Sequence, residues 1–554
     1  MVMGMDMAMA TVPEFHVNSC RRQFERLPKR PMRAWRLAAS YSAMLFAASA
    51  NGQTVPPIVP PLTATEPSAT QVRPPSFRII PTLDIGERYT DNAASVDASL
   101  ARSDWVTDAA AGLLLEYRAA RASANVDFHV NRLIHSSLSS LDSTQRRLNS
   151  NAAIEAVEKW LFLDARANIS QQSRSAFGSA DVTEVAGARS NRIETNTYQL
   201  APYVRGAFGN LADYQLRLSA SETRTGETAF PDSRTSELTG FIKSAPSADR
   251  FGWSIDGNSL ILDNNVAGKR RDDRIRASIT ARLDAQMQVS VTGGKETTDL
   301  DGLQKRTRNT VGFGAEWSPS QRTKMAAVTQ KRFFGNDHLV SIAHRTPLTA
   351  WAFTSAKEIA ISANELAGSN PSSVNSLLLD LLASTIPDPV GRTNATQRQF
   401  EQTGIPATSG FQESFLTLRP FVSRRQEASV ALRGNRNTVT LAIGQREQRA
   451  LNANVTVPAG TSAVEEFRQT RYNATWAYRL STTSNLRMVL SQFRTEGLYT
   501  ANQNTTQRLQ SLFFVTQIGP RTSASLGVQR IVFDSTVAAN YRENTFVSSM
   551  SIRF

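Results

Sequence analysis

Side chains that could support catalysis or metal binding are few in this chain and widely spaced. No H-E-x-x-H or other metal-ligand spacing involves the four histidines beyond residue 50, which are His129, His135, His338 and His344. His129 and His135 share strand parity but would lie about 20 Å apart along a strand, so we interpret them as ordinary polar residues. The Gly-Gly-Lys run at residues 293–295 lacks the upstream glycine of a phosphate loop, and no G-x-S-x-G occurs. We expect no metal, no cofactor and no enzymatic activity, with a barrel-borne serine–histidine lipid hydrolase as the alternative left open.

Arginine is the more informative residue type. The formal net charge is +14, and residues 1–50 carry four of these charges, which leaves +10 for the rest of the chain. The polar phase of alternating segments holds Arg217, Arg274, Arg276, Arg282, Arg446, Arg471, Arg479 and Arg553. A basic lining would concentrate anions and favour passage of an acidic polymer or solute. The alternative is that these arginines pair with nearby carboxylates and only fill a polar interior.

The segments that carry these arginines alternate with period two. Over residues 274–284, Ile275, Ala277 and Ile279 fall on one face while arginine, serine and threonine fall on the other. Strands of about ten residues with one apolar and one polar face are typical of transmembrane β-barrels. A soluble sandwich also alternates, but its strands are shorter and its polar face carries less arginine. The sequence predicts one large antiparallel transmembrane β-barrel over residues 77–554.

The connections between these segments alternate in length, as they do in outer-membrane barrels with short periplasmic turns and longer extracellular loops. Counting strands by this rule gives about 22, within a range of 20 to 24. The first strand is predicted near residues 77–90 and the last near residues 542–554. An even count predicts that both termini are periplasmic.

Aromatic residues support the same arrangement. Five tryptophans lie beside predicted periplasmic turns and one, Trp105, lies at the opposite end of a strand, as expected for interfacial girdles. The five are Trp160, Trp253, Trp317, Trp351 and Trp476. The last segment ends in a terminal phenylalanine with apolar residues in phase, namely Phe546, Met550, Ile552 and Phe554. This pattern resembles the C-terminal signal of outer-membrane barrels and predicts the barrel-assembly machinery as a partner.

The N-terminus predicts export. Arg33 and Arg36 precede an apolar run over residues 37–50 that ends in Ala-Ser-Ala, which together indicate a signal peptide over residues 1–50 with translation starting at Met32. Residues 51–76 are rich in proline and predict an extended periplasmic tail. Cys20, the single cysteine, precedes the apolar run. We therefore expect the outer membrane of a Gram-negative bacterium, with its lipid as a partner, and no nucleic-acid partner despite a pI near 10.2.

One predicted loop is much longer than the others. Within residues 363–412, Val374, Leu377, Leu378 and Leu381 recur at helical spacing, and a second helix is predicted from Asp388. By parity this helical insertion is extracellular. It would either constrict the barrel or form a surface cap on neighbouring loops.

Three stretches resemble a family of outer-membrane proteins associated with the PEP-CTERM/exosortase system. They are FRIIPTLDIGERYTDN at residues 77–92, WSPSQRTKMAAVTQKRFFGNDHLVSIAHRTPLTAW at residues 317–351, and SRRQEASVALRGNRNTVTLAI at residues 423–443 with IPDPVGR before it at residues 386–392. The resemblance implies a porin-like barrel and a setting in exopolysaccharide production and protein sorting. Together with the basic lining, this setting leads us to expect exopolysaccharide-export proteins or an acidic polysaccharide as partners.

Three functions follow as expectations. The first is a non-enzymatic channel or scaffold for exopolysaccharide export. The second is a general or anion-selective diffusion porin. The third is a surface or adhesion protein that transports nothing.

Overall fold

The computed structural model describes residues 76–179, 191–226, 232–245, 250–264, 268–302, 304–360, 379, 420–451, 466–499 and 502–554. Apart from one 3₁₀ turn at Ser139–Leu141, the elements are strands. In chain order they are β1 Ser76–Thr90, β2 Asp104–Arg118, β3 Ala122–His135, β4 Ser143–Val157, β5 Leu161–Ser173, β6 Arg192–Phe208, β7 Ala212–Thr225, β8 Ser233–Ser244, β9 Phe251–Asn264, β10 Gly268–Arg282, β11 Met287–Thr298, β12 Arg306–Ser320, β13 Thr323–Arg332, β14 Gly335–Arg345, β15 Thr349–Ala360, β16 Phe421–Arg433, β17 Asn437–Ala450, β18 Phe467–Arg479, β19 Ser484–Gly497, β20 Asn504–Gly519, β21 Thr522–Ser535 and β22 Tyr541–Arg553.

These 22 strands form one closed antiparallel sheet. Each strand pairs with the next along the chain, and β1 pairs with β22 from Thr82 opposite Arg553 to Thr90 opposite Thr545. The ring therefore has no open edge. The predicted class, a single large antiparallel barrel of about 22 strands, is confirmed.

The two faces of the sheet differ in chemistry because successive side chains point to opposite sides. In β10, Ile275 and Ile279 are 58 % and 64 % exposed on the outer face, whereas Arg274 and Arg276 are 4 % and 3 % exposed on the inner face. The other strands repeat an exposed apolar outside and a polar inside. A closed ring with an apolar exterior is stable in lipid, since every strand backbone is paired within it. The protein is an outer-membrane β-barrel.

The connections differ between the two ends of the barrel. Those that join β2 to β3, β4 to β5 and so on hold two to six residues. Those at the other end range from two residues between β13 and β14 to sixty between β15 and β16. We call the latter end the loop end. The predicted helices of residues 363–412 lie outside the described residues except for Leu379, which is helical.

Side chains reinforce the seam where β1 meets β22. Thr90 Oγ1 donates to Glu543 Oε1 at 2.8 Å, Asp91 accepts from the Asn544 backbone at 2.8 Å and side chain at 2.7 Å, and Asn92 Nδ2 donates to the Arg542 carbonyl at 3.1 Å. The Thr-Asp-Asn end of the first strand therefore fastens that strand to the last one.

Candidate functional site

The inner wall of the barrel carries the charged residues predicted to line it. Strand pleating places Arg217 on β7, Arg274, Arg276 and Arg282 on β10, Arg446 on β17, and Arg471 and Arg479 on β18 on the inner face. Their surroundings separate them into two groups. One group lies among carboxylates on β5 to β14, and the other lies on an arginine-rich wall formed by β16 to β19.

Arg332 is the centre of the first group. Its side chain and that of Glu296 are fully buried, and Arg332 Nε donates to Glu296 Oε1 at 2.9 Å. Asp272 and Asp337 approach the same guanidinium at 3.6 Å each. Arg274 is buried on the same strand as Asp272. Breaking such a pair would leave an uncompensated buried charge, so the network holds β10, β11, β13 and β14 in one register.

Two predicted lumenal arginines are neutralised by ion pairs. Arg276 lies 2.6 Å from Asp256 and also donates to Gln330 at 3.2 Å, reaching across β11 and β12. Gly294 leaves room for the Arg276 side chain to cross these strands, because a Cβ at position 294 would stand 3.0 Å from Arg276 Cγ and 2.3 Å from a backbone oxygen. Arg217 pairs with Asp164 at 2.8 Å. On this side the arginines fill a polar wall.

The second group lies on β16 to β19, whose residues are all described. Six arginines and a single carboxylate, Glu427, face inward along these strands. We call these arginines the basic arc: Arg425, Arg433, Arg446, Arg471, Arg479 and Arg487. Arg425 and Arg446 are direct cross-strand partners. Like charges placed directly opposite are destabilising, and an anion between them would relieve that cost.

Aromatic rings hold the guanidinium groups of the arc against the wall. Arg471 stacks over Phe493 at 4.1 Å and Arg487 over Phe513 at 5.0 Å, and each ring belongs to the direct cross-strand partner. Arg446 lies 5.7 Å from the ring of Phe421. Opposite Phe513 stands Gly527, where a Cβ would lie 2.3 Å from the ring. The stacked rings therefore fix the positions of these three guanidinium groups on the inner wall.

The connection between β5 and β6 reaches far across the loop end. Its Phe177 packs edge-on against Phe467 of β18, with ring centroids 6.4 Å apart and both rings buried. The hydroxyls of Ser179 and Tyr541 of β22 lie 2.6 Å apart. In a ring of 22 strands, β18 is nearly opposite β5. The described residues 174–179 of this connection therefore reach across the mouth.

The side chain of Asn191 joins the two ends of this connection through hydrogen bonds. Asn191 Nδ2 donates to the carbonyls of Ser175 and Ser179 at 3.0 and 3.2 Å, and Asn191 Oδ1 accepts from the Ser175 N–H at 2.9 Å. The alternation of connection lengths predicts a longer loop at this end of the strands and no particular packing for it. A phenylalanine inside a polar loop was the available signal, although it does not reveal where the ring packs.

The predicted girdle and terminal residues lie on the outer face. Trp105 lies at the loop end, whereas Trp160, Trp253, Trp317, Trp351 and Trp476 lie near the short connections. Phe546, Met550 and Ile552 face outward on β22, and the terminal Phe554 is exposed. Arg282, Arg479 and Arg553 lie near the short-connection end of the inner wall, where Arg479 donates to the Asn435 carbonyl at 2.8 Å.

The histidines contact single carboxylates or hydroxyls. His129 lies 2.7 Å from Asp127 and His135 lies 3.3 Å from Asp142. The His135 backbone N–H, which donates to Asp142, holds the pKa of that loop carboxyl below its ordinary value. Within the described ranges, no group of three or more histidine, cysteine or acidic residues could hold a metal ion.

Comparisons with known proteins give structural likeness only. No family model and no curated protein matches the chain. Solved structures that resemble it include the FrpB iron transporter from Neisseria meningitidis, with 9 % identity, 86 % of this chain and 81 % of that chain covered, and a TM-score of 0.46. The siderophore receptor PirA from Pseudomonas aeruginosa has 10 % identity, 87 % and 81 % coverage, and a TM-score of 0.42.

The Arg332 network supports a prediction about stability. Replacing Arg332 by Met leaves the buried Glu296 without its ion-pair partner and should lower the free energy of unfolding by about 3–5 kcal/mol. Adding Glu296→Leu should restore part of that loss, because the unpaired charge is removed. Tryptophan fluorescence during urea titration of the barrel in lipid vesicles would measure both. Arg234→Met, at an exposed pair with Glu222, is the control and should change little. A similar loss in all three variants would contradict this.

The mouth-spanning connection supports a prediction about conductance. Replacing residues 175–190 by a short Gly-Ser linker should raise the single-channel conductance about twofold or more, because a constriction is removed. Planar-bilayer recordings would measure it. The matched control replaces residues 95–100 in the connection between β1 and β2. This connection contacts the adjacent strand β22. Equal conductance in the wild type and both variants would show that the connection does not restrict passage.

Proposed function

We propose that this barrel is an outer-membrane conduit that favours anions and serves exopolysaccharide export. The observation that carries the proposal is the basic arc, where six arginines face the lumen beside one carboxylate. The opposite wall is mixed in charge, with Arg217, Arg276 and Arg332 each beside an acid. An anion passing through would therefore be drawn to one side of the lumen.

The form of the arc suits an extended anionic chain. Arg425, Arg446 and Arg471 lie close together across three neighbouring strands, whereas Arg433, Arg479 and Arg487 lie about 20 Å further along the wall, so the charges form two successive clusters. Ring contacts hold Arg446, Arg471 and Arg487 in place, which reduces the entropy that each anion contact costs. Contacts repeated along a path suit a polymer with repeated carboxylates.

The setting in exopolysaccharide production is supported by the family resemblance of residues 77–92, 317–351 and 423–443. The orientation that fits it places the loop end outside the cell and both termini in the periplasm. The outward residues Phe546, Met550 and Phe554 support recognition by the barrel-assembly machinery. The proposed role is transport and not catalysis.

The arc yields a prediction about selectivity. Changing Arg446, Arg471 and Arg487 to Gln should lower the chloride-over-potassium permeability ratio about threefold or more, because half of the arc's charges are lost. Reversal potentials in a KCl gradient would measure it, in the wild type and in the variant lacking residues 175–190. The charge-neutral control Arg217→Gln with Asp164→Asn should keep the ratio. An unchanged ratio in the arc variant, or no conduction in either background, would contradict the conduit.

The polymer part of the proposal has its own test. Deleting the gene should reduce surface exopolysaccharide, and the arc variant should restore only part of it, because it assembles a barrel with fewer anion contacts. Quantitative staining of cell-surface polysaccharide would measure both. Unchanged polysaccharide in the deletion strain, together with intact anion selectivity in bilayers, would indicate a diffusion porin instead.

A further inference from the structure

A second basic cluster lies on the outer face of the barrel at the loop end. Arg508, Arg530 and Arg542 point outward from β20, β21 and β22, and all three are exposed. Arg508 and Arg542 flank Val532 in one cross-strand row, while Arg530 lies between Gln510 and Asn544 in the next row. Arg530 is therefore a diagonal neighbour of both other arginines, at about 7–8 Å. We call these three residues the outer arginine triangle.

An apolar row lies directly beneath the triangle. Two residues further from the mouth, five side chains face outward in register across β20, β21, β22, β1 and β2, and they are Leu512, Val528, Phe546, Tyr89 and Trp105. All five are exposed, and Tyr89 and Trp105 are in ring contact at 5.2 Å. Aromatic residues at a barrel's rim mark the boundary between acyl chains and polar headgroups. The triangle therefore stands about 7–14 Å above that boundary on the mouth side.

The carboxylates near the triangle do not neutralise it. Asp534 pairs with Arg508 at 3.2 Å, and Asp91 accepts hydrogen bonds from Asn544. Glu87 lies on the other side of the apolar row, where it accepts from Thr107 at 2.7 Å. Within the described part of the chain, Arg530 and Arg542 are in no ion pair.

Several other outward arginines at the loop end pair with acids. Glu222 accepts from both Arg224 and Arg234, at 3.1 and 3.2 Å. Arg146 pairs with Glu194 at 2.6 Å. The triangle differs from these surfaces because two of its three arginines, Arg530 and Arg542, are in no ion pair within the described part of the chain. Because the triangle lies above lipid-facing side chains, a ligand bound to it would also contact that apolar surface.

We propose that the outer arginine triangle binds the phosphate groups of a phosphorylated glycolipid of the outer leaflet, of the lipid A type. The ligand must be an amphiphile, because its anionic groups would meet arginine while its acyl chains would lie on Leu512, Val528 and Phe546. Arginine offers paired N–H donors that match phosphate oxygens. The seam supports the site, since Asn92 fixes the Arg542 carbonyl and Asp91 fixes Asn544. The inference rests on the proposed orientation, with the loop end outside the cell.

Native mass spectrometry of the full-length barrel in detergent tests this with three lipids: bisphosphorylated lipid A, dephosphorylated lipid A and phosphatidylglycerol. Changing Arg508, Arg530 and Arg542 to Gln should weaken binding of bisphosphorylated lipid A about tenfold. The matched control, Arg224→Gln with Arg234→Gln, also removes outward arginines and should bind as the wild type does. The wild type should bind dephosphorylated lipid A and phosphatidylglycerol only weakly. Their affinity for the wild type should not exceed the affinity of bisphosphorylated lipid A for the triple variant.

Wild-type affinity in the triple variant would overturn the proposal, and so would equal binding of dephosphorylated lipid A or phosphatidylglycerol to the wild type. If the triple variant does not assemble, Arg530→Gln alone should weaken binding measurably while Arg530→Lys retains it.

The orientation has its own test. Ser99→Cys should react with a membrane-impermeant maleimide on intact cells, and a lack of reaction before permeabilisation would overturn the orientation and this site with it. Single-channel selectivity should be the same in the triple variant as in the wild type, which separates this site from the conduit.

Discussion

Backbone pairing in lipid is the constraint on which the rest of the structure depends. An N–H or C=O left unpaired in the hydrocarbon region costs several kcal/mol, so the sheet must close on itself. Closure depends on the β1–β22 ladder, which has nine register pairs against fifteen between β1 and β2. The contacts of Thr90, Asp91 and Asn92 with β22 add side-chain bonds at this joint. They explain why a polar Thr-Asp-Asn run follows an alternating strand.

Once the ring is closed, each strand has one lipid face and one lumenal face, and charge must be accommodated on the latter. The wall solves this in two ways. Around Arg332, the cost of burying a guanidinium is offset by Glu296, Asp272 and Asp337. On β16 to β19, aromatic rings provide the contacts for Arg471 and Arg487. The first solution pairs buried charges of opposite sign, and the second places guanidinium groups beside aromatic rings.

Features that depend on local periodicity could be predicted from the sequence. The alternation of Ile275 and Arg276 gives the two faces, and the regular short connections give the strand count, because both are properties of one segment at a time. Contacts that depend on strand register could not. Arg487 stacks on Phe513 and Phe177 packs on Phe467, and nothing in the spacing of either pair specifies its partner. The basic arc was therefore only partly predicted, with Arg446, Arg471 and Arg479 recognised and Arg425, Arg433 and Arg487 missed. The helical prediction for residues 363–412 lies outside the described residues.

The same alternation separates two binding chemistries on adjoining strands. On β20 to β22, Arg508, Arg530 and Arg542 face outward, while β20 and β21 present uncharged residues such as Gln507 and Gln529 to the lumen. On β16 to β19, the arc points inward. Because one residue step reverses the direction of a side chain, arginines on neighbouring strands can serve lipid on one face and a solute on the other without sharing a contact. The outer triangle also lies beside the seam, where Asn92 and Asp91 hold the last strand. Lipid bound there would bridge the ends of β20 to β22 beside the joint that closure requires, so the proposed outer site would stabilise the barrel without contacting the lumenal arc.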